Sequence, residues 1–600
     1  MDKKKKVMVV LITLTIIFIV IGSTFAYLSW SSSEEQKTQV TFTKGEGFSC
    51  SVNGGGNITT GEVILMPTVV NDSTTSYYIK RTITVNPTIT DSLLPVYMDL
   101  WLDINSLGTG LSNSLNFKYA LTTSSTSPTT GVVSSGNFNG KITGDKINLL
   151  TSKKYTATTT DTYYLWIWLD AEETSSETMN QSFSLSLNGS CMNDVPASKP
   201  DIRDGMIPVV ISSNGITSTV SEDDASWYNY NNQEWANAVL VTEESRSNYL
   251  NTSGVTVSED DILAYYVWIP RYKYKIWTTG LSSKGNEQEI DIVFEDKDTS
   301  KSIATQVGEY YTHPAFTFGT TELDGIWVGK FETGGTATAP LIKPDISSLI
   351  NQKVSEEFTT AQIFGTSTYG MTSNVDAHMM KNSEWGAVAY LSHSRYGANR
   401  EIYINNSSGF YTGRSGGNVG GSTAINRVYT SQTSTSKYNT YGFYTWDGYL
   451  LEYNTNTKSS THDISKVSST TGNITGVYDM SGGAWEYVMG YYSPAGSPWG
   501  ATSSRNYAGF SRRPNSKYYD DYTATNSLTA CNGGICYGHG LSEVRGWYDD
   551  HAYFVNASSP WFLRGGDCDD GSSAGTFGFD NVNGGANYFR AARSVLVVGS

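Results

Sequence analysis

The side chains best equipped for chemistry or recognition crowd into the C-terminal end of this chain. Cys568 stands in Asp567-Cys568-Asp569-Asp570, a thiol set among carboxylates. Upstream, Cys531 and Cys536 bracket Asn-Gly-Gly-Ile, a loop that closes as a small disulfide ring or offers two soft thiolates to a metal. A structural zinc site needs a second cysteine pair or histidines, and His539 and His551 follow at irregular spacing. After Asp570, glycines alternate with Phe577, Phe579, Asp580, Asn581, Asn587 and Tyr588. Glycine permits turns, aromatic rings give contact area at low entropy cost, and Asp and Asn give directional hydrogen bonds. The composition is that of an exposed recognition surface, with a merely solvated glycine-rich loop as the plain alternative. Asp567, Cys568, Asp569, Asp570, Phe577, Phe579, Asp580, Asn581, Asn587 and Tyr588 are the expected ligand contacts.

Such a loop needs a rigid frame. The flanks Trp561-Phe-Leu-Arg-Gly-Gly and Tyr588-Phe-Arg read as strands, while the stretch between them does not. Across the chain, 40 Tyr, 58 Gly and a charged fraction of only 16% describe a β-rich, turn-rich, extracellular protein of more than one domain. A net charge of -16 excludes nucleic acid as a partner, because phosphates need clustered Lys and Arg.

The one lysine cluster, Lys3 to Lys6, precedes an uncharged run from Val7 to Trp30. As a helix that run spans about 36 Å, enough to cross a hydrocarbon core. Residues 1–30 are therefore expected to be a signal or transmembrane anchor, with the lysines inside and the bulk of the chain outside. Thr24-Phe25-Ala26 offers small residues for cleavage, which would release the protein. The expected location is the outer face of the cell membrane, or the medium if the segment is cut.

Residues 36–195 read as a β-sandwich. Its strands include Tyr78 to Val85, Pro95 to Ile104 and Tyr163 to Asp170, with Cys50 and Cys191 placed to staple its two ends. Leu165, Ile167 and Leu169 oppose Trp166 and Trp168, so that strand is apolar on both faces and central. Residues 196–260 read as a linker and lead-in, marked by Pro196 and Pro200. Residues 261–600 form the C-terminal domain, where Asn382 to Ser392 has helical periodicity and Asn382 or Ser383 to cap it. Val477, Tyr478 and Met480 with Trp485, Tyr487 and Val488 make two apolar patches around a tight Ser481-Gly482-Gly483 turn. Trp485 and Glu486 read as scaffold.

Four segments carry a family resemblance. Gly325-Ile-Trp-Val-Gly-Lys-Phe-Glu-Thr, Asn382-Ser-Glu-Trp-Gly-Ala-Val-Ala, Gly476-Val-Tyr-Asp-Met-Ser-Gly-Gly-Ala-Trp-Glu-Tyr and Leu563-Arg-Gly-Gly with Phe589-Arg follow one another in order. Together they resemble the C-type-lectin-like fold of formylglycine-generating enzymes, the sulfatase-modifying factors. The resemblance, which covers roughly Pro200 to the end, implies an α+β lectin-like C-terminal domain with a variable segment at 567–588; with the membrane helix and sandwich read above, the chain is expected to be mainly β. Enzymes of that family hold copper with two cysteines of the closing segment. Here Cys568 stands alone at a shifted position, Ser573 occupies its partner's place, and the Cys531 and Cys536 pair lies upstream. No catalytic residue is therefore expected.

The C-terminus also resembles bacterial and phage surface proteins whose lectin-like segment is rewritten by diversity-generating retroelements. Adenine-directed mutation of asparagine codons cannot reach Lys, Glu, Gln, Met or Trp, and none of these occurs from Asp567 to Phe589. The expected function is a cell-surface display protein binding a protein or glycan. The alternatives are a formylglycine-generating-type oxidase and a structural fibre. No cofactor is expected beyond calcium, whose oxygen ligands Asp520 and Asp521 or Asp549 and Asp550 would supply; the sequence selects no site among them.

Overall fold

The computed structural model describes residues 27–598, leaving out 32–38, 44–47, 54–56, 60–64, 71–74, 90–95, 156, 193–195, 213–214, 277–286, 305–307, 373, 406–408, 415–449, 452–457, 460–467, 496–506 and 524–535. The chain is mainly β with few helices and divides into two compact units.

The first unit comprises Met1–Pro196 with Asp224–Ser226. Two sheets enclose one apolar core. One orders Tyr27–Ser31, Phe183–Met192, Val96–Leu107 and Lys146–Tyr155, with Asn57–Thr59 also on Phe183–Met192. The other orders Gln39–Thr43, Phe48–Asn53, Tyr78–Ile89, Asp161–Leu169, Phe117–Thr122 and Val132–Asn137. Asp161–Leu169 is flanked by strands on both sides, as its two apolar faces require. Leu165, Ile167 and Leu169 enter the shared core, while Trp166 and Trp168 meet Tyr78 and Ala120 on the opposite face. Cys50, in one sheet, and Cys191, in the other, form a disulfide across 141 residues of sequence.

The N-terminal expectation is corrected in part. Tyr27–Ser31 is a strand antiparallel to Phe183–Met192, so the end of the uncharged run belongs to the sheet and the unit starts before residue 36. An open sheet edge offers N–H and C=O groups that such a segment satisfies. The rest of the anchor and its cleavage motif lie outside the described residues. Among the described residues no helix is long and apolar enough to cross a membrane.

The second unit comprises Ala197–Asp223 and Trp227–Ser600. Its larger sheet orders Thr217–Thr219, Ile207–Ile211, Asn237–Val241, Ile262–Pro270, Gly325–Gly329, Ser594–Val598 and Val375–Met379. Three strands of this sheet, Thr217–Thr219, Ile207–Ile211 and Asn237–Val241, come from the stretch expected as linker, 196–260. Ile207, Val209 and Ile211 are all buried at a period of two, a strand signal that Pro208 within it masks. Ser594–Val598 inserts between Gly325–Gly329 and Val375–Met379, so the closing strand locks the sheet.

A second sheet joins Asp520–Tyr522, Trp485–Tyr492, Trp561–Gly565 and Gly575–Val582, and Arg590–Ala592 runs parallel to Trp485–Tyr487. The expected helix spans Asn382–Ser392 and every residue of it is buried. Neither Asn382 nor Ser383 caps it. Glu384 Oε2 accepts from the Lys381 N–H at 2.8 Å, and Asp520 Oδ2 accepts from the Ser383 N–H at 2.7 Å. Carboxylates there complement the positive end of the helix dipole, while Asn382 Oδ1 is engaged by Arg564 at 3.3 Å. A further helix, Val354–Ile363, has no counterpart in the sequence reading.

Candidate functional site

The Trp561–Gly565 and Gly575–Val582 strands form an antiparallel pair joined by the residues 566–574. Part of the expected loop, Gly575–Val582, is therefore strand, and this changes its side chains. Phe577 and Phe579 lie two positions apart and share one face. They are 2% and 1% exposed. Phe577 packs on Trp547 at 5.1 Å between ring centroids, and Phe579 on Phe562 at 6.1 Å. Burying two phenylalanines is favourable by roughly 2–3 kcal/mol each, which outweighs any turn preference of the glycines around them. Phe577, Phe579 and the 6%-exposed Cys568 are thus removed from the expected contact surface. The Phe-x-Phe spacing was the sequence signal for this.

Other expected contacts stay at the surface. Asp569 and Tyr588 are exposed, and Asp567, Asp570, Asp580, Asn581 and Asn587 are half-buried. The acidic turn is self-supporting. Asp570 Oδ2 accepts from the Asp567 N–H at 2.9 Å, and Asp567 Oδ1 accepts from the Asp569 N–H at 2.9 Å. Burial, with Asp570 and Asp569 beside it, pushes the Asp567 carboxyl up to about 6. Asn581 is committed to the frame, donating to the Phe554 carbonyl at 2.8 Å. Asn587 accepts from the Phe589 N–H at 3.2 Å and shapes the turn that lifts Tyr588 outward.

Three separate pieces of chain converge on Gly483–Trp485. The Cys568 N–H donates to the Gly483 carbonyl at 2.9 Å, and the Trp485 N–H donates to the Phe589 carbonyl at 2.8 Å. The His551 ring lies 5.9 Å from the Trp485 ring, edge to face. Asp580 Oδ1 sits 3.4 Å from His551 Nε2, and that hydrogen bond raises the imidazole's proton affinity. Tyr553, 61% exposed, places its ring 4.5 Å from His551. The result is a surface with acidic, imidazole and aromatic groups side by side, with Tyr588 and Phe589 at 69% and 49% exposure. Phe589, Tyr553 and His551 were not among the sequence candidates; they join the surface only through strand pairing.

The turn beneath is held by buried charge. Gly482 and Gly483 both adopt φ of +76°, and a Cβ on Gly483 would lie 2.3 Å from Glu332 Oε1. That oxygen accepts from the Ala484 N–H at 2.8 Å. Burial, with Asp479 and Glu486 nearby, drives the Glu332 carboxyl well above its usual range. Burial raises Asp479 to about 6 and Glu486 to about 7, with Arg593 opposing in both cases. Trp485 and Glu486 are scaffold, as their sequence context implies.

The cysteines do not fit the copper chemistry of the enzymes that the sequence resembles. Burial, with Asp569 and Asp567 alongside, pushes the Cys568 thiol up to about 12, so it is held as the neutral thiol. Ser573 supplies no second thiolate. Cys536 is buried and disulfide-bonded, and Cys531 lies outside the described residues. Three of the four aspartates considered for calcium are engaged within the protein. Asp520 caps a helix, Asp521 holds Arg513 at 3.1 Å, and Asp550 accepts from the Phe577 N–H at 3.0 Å. Among the described residues no three His, Cys, Asp or Glu side chains form a metal-binding group.

No family model and no curated protein matches the chain. Among solved structures, the binding domain of botulinum neurotoxin serotype D aligns at 9% identity over 50% of this chain and 87% of its own, with a TM-score of 0.11. That likeness is too slight to carry an argument.

Proposed function

We propose that the chain is a surface-displayed binding protein. In this reading a lectin-like C-terminal domain, carried on a β-sandwich and an N-terminal membrane segment, presents the Trp485-centred surface to a protein or glycan. One observation carries it: main-chain bonds, from the Cys568 N–H to the Gly483 carbonyl and from the Trp485 N–H to the Phe589 carbonyl, attach the acidic turn and the aromatic tip to Gly483–Trp485. Side chains such as Asp569 and Tyr588 can then be exchanged without loss of the bonds that hold their backbone. That is the arrangement a diversified surface requires, and it agrees with the residue types absent from Asp567 to Phe589. The neutral, buried state of Cys568 favours binding over thiolate redox chemistry.

Randomising Asp569, Tyr588 and Phe589 together in a displayed library tests the reading. Selection on a basic protein such as lysozyme should return binders whose melting temperature stays within about 2 °C of the parent. General collapse of stability, or no binder from the library, would refute it. At the nucleotide level, an adenine-rich near-copy of the region encoding Asp567 to Tyr588 beside a reverse-transcriptase gene would identify the source of variation.

A further inference from the structure

We infer that the second unit carries another binding site, for an oligosaccharide bearing a carboxylate, in the groove between the Val354–Ile363 helix and residues 509–518. The groove encloses about 1090 Å³. Ligand pockets generally hold about 300–1,000 Å³, so there is room for several linked sugar rings. None of the residues around Trp485 lines it.

The floor is aromatic and fixed. Phe358 meets Phe510 at 5.7 Å and Tyr518 at 5.6 Å, both edge to face. Phe510 in turn stacks on Trp561 at 5.7 Å with 19° between the planes, so the floor rests on a central strand of the smaller sheet. Aromatic faces suit the C–H faces of pyranose rings, and a floor already locked in place loses little entropy on binding. Gln362 supplies an amide, the Asn515 Nδ2 adds donors while its Oδ1 accepts from the Lys517 N–H at 3.1 Å, and the Thr359 hydroxyl, which donates to the Ser355 carbonyl at 2.8 Å, remains an acceptor for polyhydroxyl ligands. The Ser355 N–H donates to the Ala508 carbonyl at 3.0 Å and ties the start of the helix to the stretch of chain that enters the opposite wall.

The rim selects the charge. Arg513 is shared with Asp521 at 3.1 Å and rests over the Tyr519 ring. Arg512 is exposed and meets no carboxylate among the described residues. On a chain of net charge -16, an arginine without a counter-ion beside an aromatic floor is positioned for an anion, and its planar fork suits a carboxylate. Glu356 also lines the groove, but its Oε2 accepts from the Lys353 N–H at 2.8 Å and serves the helix start. An extended peptide is the poorer occupant, because a helix wall has its backbone hydrogen bonds satisfied and offers no edge for strand addition.

The test is titration of the full chain with trigalacturonate and sialyllactose, against maltotriose and lactose as neutral controls, by calorimetry and saturation-transfer NMR. An acidic sugar should bind at least about tenfold more tightly than its neutral counterpart. Arg512→Glu should remove that preference. Thr359→Trp, an exposed substitution that fills the groove, should abolish binding of both kinds without changing the melting temperature. Absence of sugar binding, binding indifferent to both substitutions, or binding of a poly-glutamate peptide in place of the sugars would overturn the assignment. Variation at Asp569 and Tyr588 should leave this binding unchanged, which separates the groove from the Trp485-centred surface.

Discussion

Arg593 grips Glu486 with two of its nitrogens, and both residues are sealed from solvent, at 0% and 1% exposure. The same guanidinium donates to the Gly329 carbonyl at 2.8 Å. One arginine therefore ties the smaller sheet, through Glu486, to the larger one, through Gly329. The buried Glu486, Asp479 and Glu332 raise its proton affinity against the effect of burial.

Replacing Arg593 with Met should cost about 3–5 kcal/mol, because Glu486 and Asp479 lose the charge that opposes the effect of burial on them. Urea denaturation followed by the fluorescence of the second unit's tryptophans measures this. A matched Glu486→Gln change in the same background should recover part of the loss. A neutral outcome for Arg593→Met alone would show that the acids are already protonated.

His378 is buried between Glu384, at 3.0 Å, and Asp376, at 3.4 Å. Burial opposes its charge, but the two acids outweigh burial and raise its pKa above 6.5. A raised pKa gives stability that is complete below the unfolded value and is lost as pH rises through the folded value. Glu384 behaves oppositely. Burial would raise it, but Lys381 and His378 hold it at about 2, so its contribution is complete above 4.5 and is lost as pH falls from 4.5 through about 2. The melting-temperature gap between the parent and His378→Gln should narrow as pH rises above 6.5. A gap independent of pH would mean that the imidazole is neutral.

Gly386 sits inside the buried Asn382–Ser392 helix, where alanine ordinarily adds about 1 kcal/mol. Here a Cβ would lie 1.9 Å from the Gly538 carbonyl oxygen. Gly386→Ala should therefore destabilise, by about 2 kcal/mol or more, in thermal or chemical unfolding.

Cys568 should resist Ellman's reagent in the native protein at neutral pH and react only on unfolding, since burial holds its thiol near 12. Rapid native labelling would return a redox role to consideration.

Serine at Cys50 should lower the stability of the first unit by about 2–5 kcal/mol, given the 141 residues enclosed by its bond to Cys191. The second unit's transition should remain in place under calorimetry.

Local patterning already showed much of this protein. The doubly apolar strand at Leu165 to Leu169, the helix at Asn382, the cysteine pair across the first unit and the scaffold role of Trp485 follow from periodicity and spacing, because burial imposes those periods on any chain. Tertiary structure alone decided which C-terminal side chains face solvent. Asp569 and Tyr588 are outside; Phe577, Phe579 and Cys568 are inside. Whether a glycine-rich stretch becomes loop or strand depends on a partner offering backbone donors and an apolar floor. Here the Trp561–Gly565 strand and the rings of Trp547 and Phe562 do so from elsewhere in the chain. The same long-range pairing brings His551, Tyr553 and Phe589 to Trp485, and no local pattern encodes that meeting.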